Sequence, residues 1–214
     1  MITNLKNWDL FWKRSSEIKA SWSKLRILRM LDPYLNPGLT ILDAGSGCGF
    51  FSAYFCDKGL DTTAVDFSQQ ALTLTQARTF NRAKIICADM LADDFVSKFK
   101  HNFKIIFSYG LFEHFSSSDQ DKLLDNFIKI LAPHGYIITF VPNLFSPWTI
   151  IRPFLMPGIK EQPFTMKKLM TLNKRNSLKI EQSGGVNVLP WHISPEKYLA
   201  NFFGMLIFTV ALKD

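Results

Sequence analysis

Cysteine is scarce in this sequence, and long apolar runs are missing. The three cysteines in 214 residues, Cys48, Cys56 and Cys87, cannot all pair, and their spacing matches no zinc motif. We interpret them as reduced thiols and expect a cytoplasmic protein. The longest apolar run, Phe202–Leu212, has 11 residues, whereas a membrane-spanning helix needs roughly 20. Charges between Asp9 and Lys19 interrupt any signal-peptide core. We therefore expect neither a transmembrane span nor a signal peptide.

Acidic residues are outnumbered, with 18 Asp and Glu against 25 Lys and Arg, a net charge of +7. Such a charge permits contact with nucleic acid, anionic membranes or acidic substrates, but it requires none of them. Residues 1–31 hold seven of the basic residues and two acidic ones. A basic amphipathic helix here is compatible with peripheral membrane contact or with a solvated helix face. The apolar content of 47% is ordinary for one folded domain.

Strand-like and helix-like segments alternate along most of the chain. We predict seven strands, over Thr40–Ala44, Thr62–Asp66, Ala83–Ala88, Lys104–Ser108, Tyr136–Val141, Leu178–Gln182 and Met205–Leu212. Helices are predicted over Ser21–Leu31, Phe51–Lys58, Gln69–Phe80, Asp119–Leu131 and Thr165–Asn173, with a loop at Ser183–Pro195. This alternation predicts an α/β fold with a doubly wound, mostly parallel sheet, covered by helices on both faces and with antiparallel pairing at one edge.

A glycine cluster, Gly45-Ser46-Gly47-Cys48-Gly49, follows the first predicted strand and precedes a helix. Glycine lets the backbone turn sharply and lets a ligand approach closely, although a purely steric turn explains glycines as well. Asp43 precedes the cluster, and Asp66 and Asp89 follow the next two predicted strands. Because parallel strands end at one crevice, we expect the three carboxylates to face a ligand. Asp66 would accept from ribose hydroxyls, and Asp89 from an adenine amino group.

The cluster differs from two common nucleotide loops. A dinucleotide fingerprint beginning at Gly45 would need glycine where Phe50 stands, and a phosphate loop would need a lysine well before Lys58. Asp43 would repel a pyrophosphate but suits a cation. The sequence thus predicts a cationic, phosphate-free adenosine ligand.

These motifs resemble those of the class I S-adenosylmethionine-dependent methyltransferases. The similar stretches are Asp43-x-Gly45-x-Gly47-x-Gly49, Val65-Asp66, Ala88-Asp89-Met90, Ser108–Phe115 in the small-molecule Leu-Glu-His form, Leu131–Tyr136 and the closing segment Gly204–Leu212. The resemblance implies a Rossmann-like three-layer α/β/α fold of seven strands and S-adenosylmethionine as cofactor, with S-adenosylhomocysteine as product. It also implies a helical lid over residues 1–37 and a methyltransferase domain over 38–214, with an acceptor-covering insertion at about 142–175.

The resemblance further implies roles for individual residues. Gly45 and Gly47 would lie under the methionine part and the ribose, and Asp43 would orient the loop or meet the ammonium group. Trp12 would close over the cofactor, or would simply pack into the first helix. The cofactor-binding residues expected in this way are Trp12, Asp43, Gly45, Ser46, Gly47, Gly49, Asp66, Phe67, Ser68, Asp89, Met90 and Tyr109.

His114, with Glu113 beside it, is the candidate catalytic group, because histidine is the base best suited to remove a proton at neutral pH. A structural brace is the alternative for this pair. Similar quinone-pathway enzymes carry an additional glutamate at the position of Gly110, so we predict no metal site. His192, in a loop between the last strands, is a further candidate to face the acceptor.

Positions 142–163 contain many prolines, several aromatic residues and few charged residues. We therefore expect a small apolar or aromatic acceptor, methylated at oxygen. The alternatives are a nucleic-acid or protein methyltransferase, favoured only by the net charge, and a non-catalytic S-adenosylmethionine-binding module. Nucleic acid is not the expected partner, because no amino-methylating tetrad of the Asn-Pro-Pro-Tyr type follows the fourth strand.

Overall fold

A computed structural model describes residues 5–14, 22–100, 102–155, 158–190 and 195–214. Within these ranges the helices are α1 (Leu5–Arg14), α2 (Trp22–Leu31), α3 (Phe50–Asp57), α4 (Gln69–Arg78), α5 (Ser117–Ile130), α6 (Trp148–Leu155), α7 (Met166–Arg175) and α8 (Glu196–Phe203). The strands are β1 (Thr40–Ala44), β2 (Asp61–Asp66), β3 (Lys84–Cys87), β4 (Phe103–Tyr109), β5 (Leu131–Pro142), β6 (Lys179–Val186) and β7 (Leu206–Leu212).

The strands form one seven-stranded sheet in the order β3-β2-β1-β4-β5-β7-β6. β1 pairs in parallel with both β2 and β4, so the chain winds outward in two directions from the sheet centre. β7 runs antiparallel between β5 and the outermost strand β6. The predicted mixed, doubly wound α/β fold is thereby confirmed, with the antiparallel pairing on the β6 side of the sheet.

The core lies on both faces of the sheet, because neighbouring strand residues point to opposite sides. Leu42 and Ile106 pack on one face with Phe127 of α5. On the other face, Ile41 packs with Ile27 of α2 and with side chains of α3. The two cores give the three-layer arrangement that the alternating segments predicted.

The last third of the chain departs most from the prediction. β6 continues through Val186, although Gly184 and Gly185 favoured a loop from Ser183 onward. α8 packs so closely on this strand that a Cβ at Gly185 would lie 1.7 Å from the Ala200 carbonyl oxygen. These glycines serve close packing rather than a turn.

Two further local findings concern proline and cysteine. α6 is only eight residues long; it follows Pro147 directly, where a proline is tolerated, and it contains Pro153, which has no N–H to donate within the helix. The three cysteines are free, as predicted. Of the described helices, none is long and apolar enough to cross a bilayer.

Candidate active site

A cavity of about 250 Å³ opens at the carboxyl ends of β1, β2 and β4. Its walls come from the glycine loop, from α1, from the segment after β4 and from the insertion after β5. The cavity therefore lies where parallel sheets bind ligands. The predicted site residues that line it are Trp12, Asp43, Gly45, Ser46, Gly47, Asp66, Phe67, Asp89, Met90, Tyr109, Glu113 and His114.

Asp66, the last residue of β2, joins its strand to the glycine loop. Its Oδ2 accepts a hydrogen bond of 3.0 Å from the Gly47 backbone N–H, and its Oδ1 accepts one of 2.9 Å from the Ser68 N–H. Burial raises the pKa of this carboxyl to about 6, although the backbone donors oppose the rise. Each oxygen keeps a lone pair for a ligand donor, which is what two vicinal hydroxyl groups require.

Asp43 is buried at the base of the loop. Ser52 of α3 donates a 2.5 Å hydrogen bond to Asp43 Oδ2. Burial, together with a smaller effect of the neighbouring Asp66 charge, raises the pKa of Asp43 to about 7, although the Ser52 hydrogen bond opposes the rise. A cationic ligand in the cavity would favour the ionised form of both carboxyls.

Asp89 and Met90 form the far wall, just beyond β3. Asp89 is exposed, and its Oδ1 accepts a 2.9 Å hydrogen bond from the Leu91 N–H. Met90 is buried, and its carbonyl accepts from Asn126 of α5. These contacts hold an acceptor carboxylate and an apolar side chain beside each other, as an adenine base requires.

α1 covers the glycine loop and is called the lid helix from here on. The Trp12 and Trp8 rings stack with centroids 6.2 Å apart, and Trp12 lies over Gly47. Asp9 accepts a hydrogen bond from Ser68 Oγ, and Asn7 donates one to the Gly158 carbonyl. Trp12 thus packs within its own helix and also covers the loop, and its closure over the cofactor stays a prediction.

Two predicted cofactor residues lie outside the cavity lining. A Cβ at Gly49 would lie 2.6 Å from the Thr75 Cα, so this glycine permits loop and α4 to meet. Ser68 caps α4 by accepting a hydrogen bond from the Ala71 N–H. Their contact with the cofactor stays a prediction; in the structure Gly49 allows close packing, and Ser68 links α4 to the lid helix.

His114 lies in a 3-10 turn, Phe112–His114, directly after β4. Its Nδ1 is 2.9 Å from the Lys160 carbonyl oxygen. A carbonyl only accepts, so Nδ1 carries the proton and the neutral ring offers Nε2 as an acceptor. Burial lowers the pKa of His114 below its ordinary value of 6.5, which keeps the imidazole neutral at pH 7. The edge of Trp8 packs on the ring, with centroids 4.8 Å apart.

Glu113 is completely buried beside His114. Both carboxyl oxygens lack a hydrogen-bond partner among the described residues. Burial raises the pKa of Glu113 to about 8, and the charge of Glu161 adds to the rise. A buried carboxyl without partners is costly unless a ligand donates to it.

An ion pair from the insertion completes this end of the cavity. Arg152 Nε lies 2.7 Å from Glu161 Oε2, and Arg152 Nη2 lies 2.5 Å from Oε1. Sequence reasoning missed both residues, and it also missed Trp8 and Lys24 in the cavity wall. The available signal for the pair was that, with Lys160, they are the three charged residues in positions 142–163. His192 lies outside the described residues.

The pair also bears on metal binding. Glu113, His114 and Glu161 each offer a ligand atom, and these atoms lie within 4.8 Å of one another. However, Arg152 engages both oxygens of Glu161, so its guanidinium group already supplies the positive charge that a metal ion would bring. The absence of a metal site stays a prediction.

The cavity fits S-adenosylmethionine, because the glycine loop lines it together with the buried carboxyls of Asp43 and Asp66. Gly45 and Gly47 have positive φ angles of 73° and 53°, and a Cβ at Gly45 would lie 3.0 Å from Leu111 Cδ1. The unpartnered Glu113 carboxyl suits a donor or a cation, which a sulfonium ligand and its acceptor would bring.

Comparisons with known proteins agree with this geometry. A family model described as a methyltransferase domain matches residues 41–135. A phosphoethanolamine N-methyltransferase of Triticum aestivum is 26% identical over 113 residues, which are 52% of this chain and 22% of that protein. A phosphoethanolamine N-methyltransferase 1 of Zea mays is 27% identical over 113 residues, again 52% of this chain and 22% of that protein. The match thus spans about a fifth of each curated relative.

The fold is also that of solved methyltransferases. An S-adenosylmethionine-dependent methyltransferase of Archaeoglobus fulgidus superposes with a TM-score of 0.71 at 15% identity, covering 91% of this chain and 95% of that chain. Residues 41–135 of this chain thus match a methyltransferase domain, and the chain has the fold of solved S-adenosylmethionine-dependent methyltransferases.

Proposed function

We propose that the protein transfers the methyl group of S-adenosylmethionine to an oxygen atom of a small apolar or aromatic molecule. The observation that carries the proposal is the orientation of His114. Its Nδ1 proton is held by the Lys160 carbonyl, so that Nε2 is left as a proton acceptor in the cavity wall. A hydroxyl acceptor needs such a base, because its oxygen must lose a proton as the new bond forms.

The glycine loop and the strand-end carboxylates would hold the cofactor. Gly45 and Gly47 line the cavity and would lie along the cofactor, Asp66 would accept from the ribose hydroxyls, and Asp89 would accept from the adenine amino group. Lys24 also lines the cavity and would pair with the carboxylate of the methionine part. When bound, S-adenosylmethionine supplies an electrophilic methyl group on a sulfonium sulfur.

The lid helix and the insertion would exclude water from the reacting groups. Trp8 and Trp12 cover the loop side, and Leu111 and Phe115 contribute apolar surface on the β4 side. Such walls favour an apolar acceptor and hold it in line for displacement. His114 would then take the hydroxyl proton at Nε2.

A second candidate, methylation of an amine, is favoured by Glu113. Its buried carboxyl has no hydrogen-bond partner among the described residues, and an ammonium or amine group would provide one. Two curated relatives are named for N-methylation of phosphoethanolamine. One structural neighbour, the N-methyltransferase NodS of Bradyrhizobium japonicum, superposes with a TM-score of 0.67 at 14% identity over 97% of this chain and 98% of that chain.

A panel of acceptors separates these candidates. Purified protein with methyl-labelled S-adenosylmethionine would be offered matched phenols, primary amines and an RNA mixture. We expect label transfer to phenols, and transfer only to amines would establish the second candidate instead. Cofactor binding without transfer to this panel or to a metabolite extract would indicate a binding module. Transfer to RNA would contradict a small-molecule acceptor.

A further inference from the structure

An unusual amount of apolar surface is exposed around α6. Phe154 is 82% exposed, Ile150 75% and Phe145 65%. At 100° per residue, Ile150, Ile151 and Phe154 share one face of α6, opposite Trp148 and Arg152. Trp148 donates to the Val188 carbonyl, and Arg152 reaches Glu161 in the cavity wall. α6 therefore turns a polar anchoring face inward and an apolar face outward.

A second element continues the apolar surface. Asn143 donates hydrogen bonds to the carbonyls of Phe202 and Gly204, and Ser146 donates one to the Phe203 carbonyl. These bonds hold the end of α8 against the segment that leads into α6. We call the combined surface the apolar patch; its exposed members are Leu144, Phe145, Ile150, Ile151, Phe154, Phe202 and Phe203.

Positive charge borders the apolar patch. Residues 143–175 contain six Lys and Arg but a single acidic residue, Glu161, and Glu161 is paired with Arg152. Lys167 and Lys168 begin α7 next to the patch, because the Leu144 N–H donates to the Phe164 carbonyl at 2.8 Å. Lys168 lies over the Phe164 ring, 4.2 Å from its centroid.

We propose that the apolar patch docks the protein onto an anionic lipid bilayer. Apolar and aromatic side chains would enter the region between headgroups and acyl chains, while the bordering lysines would contact anionic headgroups. The charge favours this occupant over a second copy of the chain, because a symmetric contact would bring the same basic borders together. Sequence reasoning left membrane contact by residues 1–31 open beside a solvated helix face; the apolar patch lies on the insertion and α8.

Docking would also orient the cavity. α6 carries part of the apolar patch on its outer face and contributes Arg152 to the cavity wall on its inner face. A bilayer bound at the patch would therefore lie beside the acceptor end of the site. The inference does not depend on which atom is methylated.

Sedimentation with lipid vesicles tests the inference. The probes are vesicles of phosphatidylcholine alone and vesicles containing one quarter phosphatidylglycerol. We expect binding to the anionic vesicles that weakens with added salt. The double variant Ile150→Ser, Phe154→Ser should reduce binding by at least about tenfold, because two apolar anchors are lost.

Phe80→Ser is the matched control, since Phe80 is 79% exposed but lies beyond α4, away from the patch. It should bind vesicles as the unmodified protein does. Both variants should bind S-adenosylhomocysteine unchanged in calorimetry, which shows that they are folded and separates this test from the proposed methyl transfer. Absent vesicle binding, or equal binding by the double variant, would overturn the inference. A dimer that the double variant dissociates would assign the patch to self-association instead.

Discussion

The Trp12 ring lies against the backbone of Gly47, so closely that a Cβ at that glycine would come within 2.5 Å of the ring. The lid helix and the glycine loop therefore meet at a point where only a hydrogen atom fits. Gly47 also donates its N–H to Asp66. One residue thus connects the lid, the loop and the carboxylate expected to bind ribose.

Gly47→Ala should weaken binding of S-adenosylhomocysteine by at least about tenfold, because the methyl group displaces Trp12 and strains a left-handed backbone. Calorimetry measures the affinity. Gly38→Ala is the control: Gly38 also has a positive φ, 84°, but a Cβ there meets nothing within 4 Å. It should lower stability slightly and leave affinity intact. Equal affinities of the two variants would contradict the proposed contact.

Asp66→Ala should weaken cofactor binding by about 1–3 kcal/mol, because buried ribose hydroxyls lose their acceptors. Asp61→Ala, at the exposed start of the same strand, serves as the comparison and should bind normally. Thermal melting of both variants checks that they fold. An Asp66→Ala protein that is folded and binds with unchanged affinity would remove this residue from the cofactor site.

His114→Gln should reduce turnover by about 10²–10⁴-fold while cofactor affinity stays nearly the same. The variant loses the general base but leaves the cofactor-binding glycine loop unchanged. The unmodified enzyme should lose activity only below the ordinary histidine range, since the pKa of His114 is lowered by burial. His134→Gln, exposed near the start of β5, is the histidine control. If His114 is merely a brace, its variant would lower stability and leave the pH profile unchanged.

The ligand-free protein should lose stability as pH rises from 6.5 to 8. Burial raises the pKa of Asp43 to about 7 and that of Glu113 to about 8, so the folded state holds protons that the unfolded state has already released. His114 opposes this trend only near pH 6.5, because there the unfolded state still binds part of a proton while the lowered pKa keeps the folded ring neutral.

Glu113→Gln isolates the contribution of Glu113 to the pH dependence of stability. The variant should reduce the loss over this range by about 1–2 kcal/mol, because its amide cannot ionise. Denaturant unfolding at several pH values measures the change. If the free energy of unfolding falls equally with pH in the variant and in the unmodified protein, Glu113 is already ionised or partnered in the folded state.

Chelation should leave methyl transfer unchanged. Arg152 occupies both oxygens of Glu161, so a cation would have to displace a bidentate ion pair before Glu113, His114 and Glu161 could share it. Activity after treatment with a chelator, and after addition of magnesium or zinc, tests this expectation. Loss of activity that a divalent metal restores would establish a metal site at these three residues.

Local patterns were sufficient for the sheet and for the cofactor end of the site. The glycine loop, Asp66 and Asp89 follow successive strands, and parallel strands necessarily end at one edge. Periodicity alone therefore predicted their meeting. It did not predict the close packing of Gly49 on α4, because a motif position does not reveal whether a residue faces a ligand or a neighbouring helix.

The acceptor end was decided by tertiary structure. Arg152 and Glu161 are nine residues apart in an irregular segment, and Trp8 is more than a hundred residues from His114; no periodic pattern relates them. Their positions depend on how α6 and the lid helix pack over the sheet. Sequence by itself thus determined the fold and the class of cofactor, because these follow from short-range spacing on regular elements. The burial of Glu113, the proton position on His114 and the outward apolar face of α6 arise only from long-range packing.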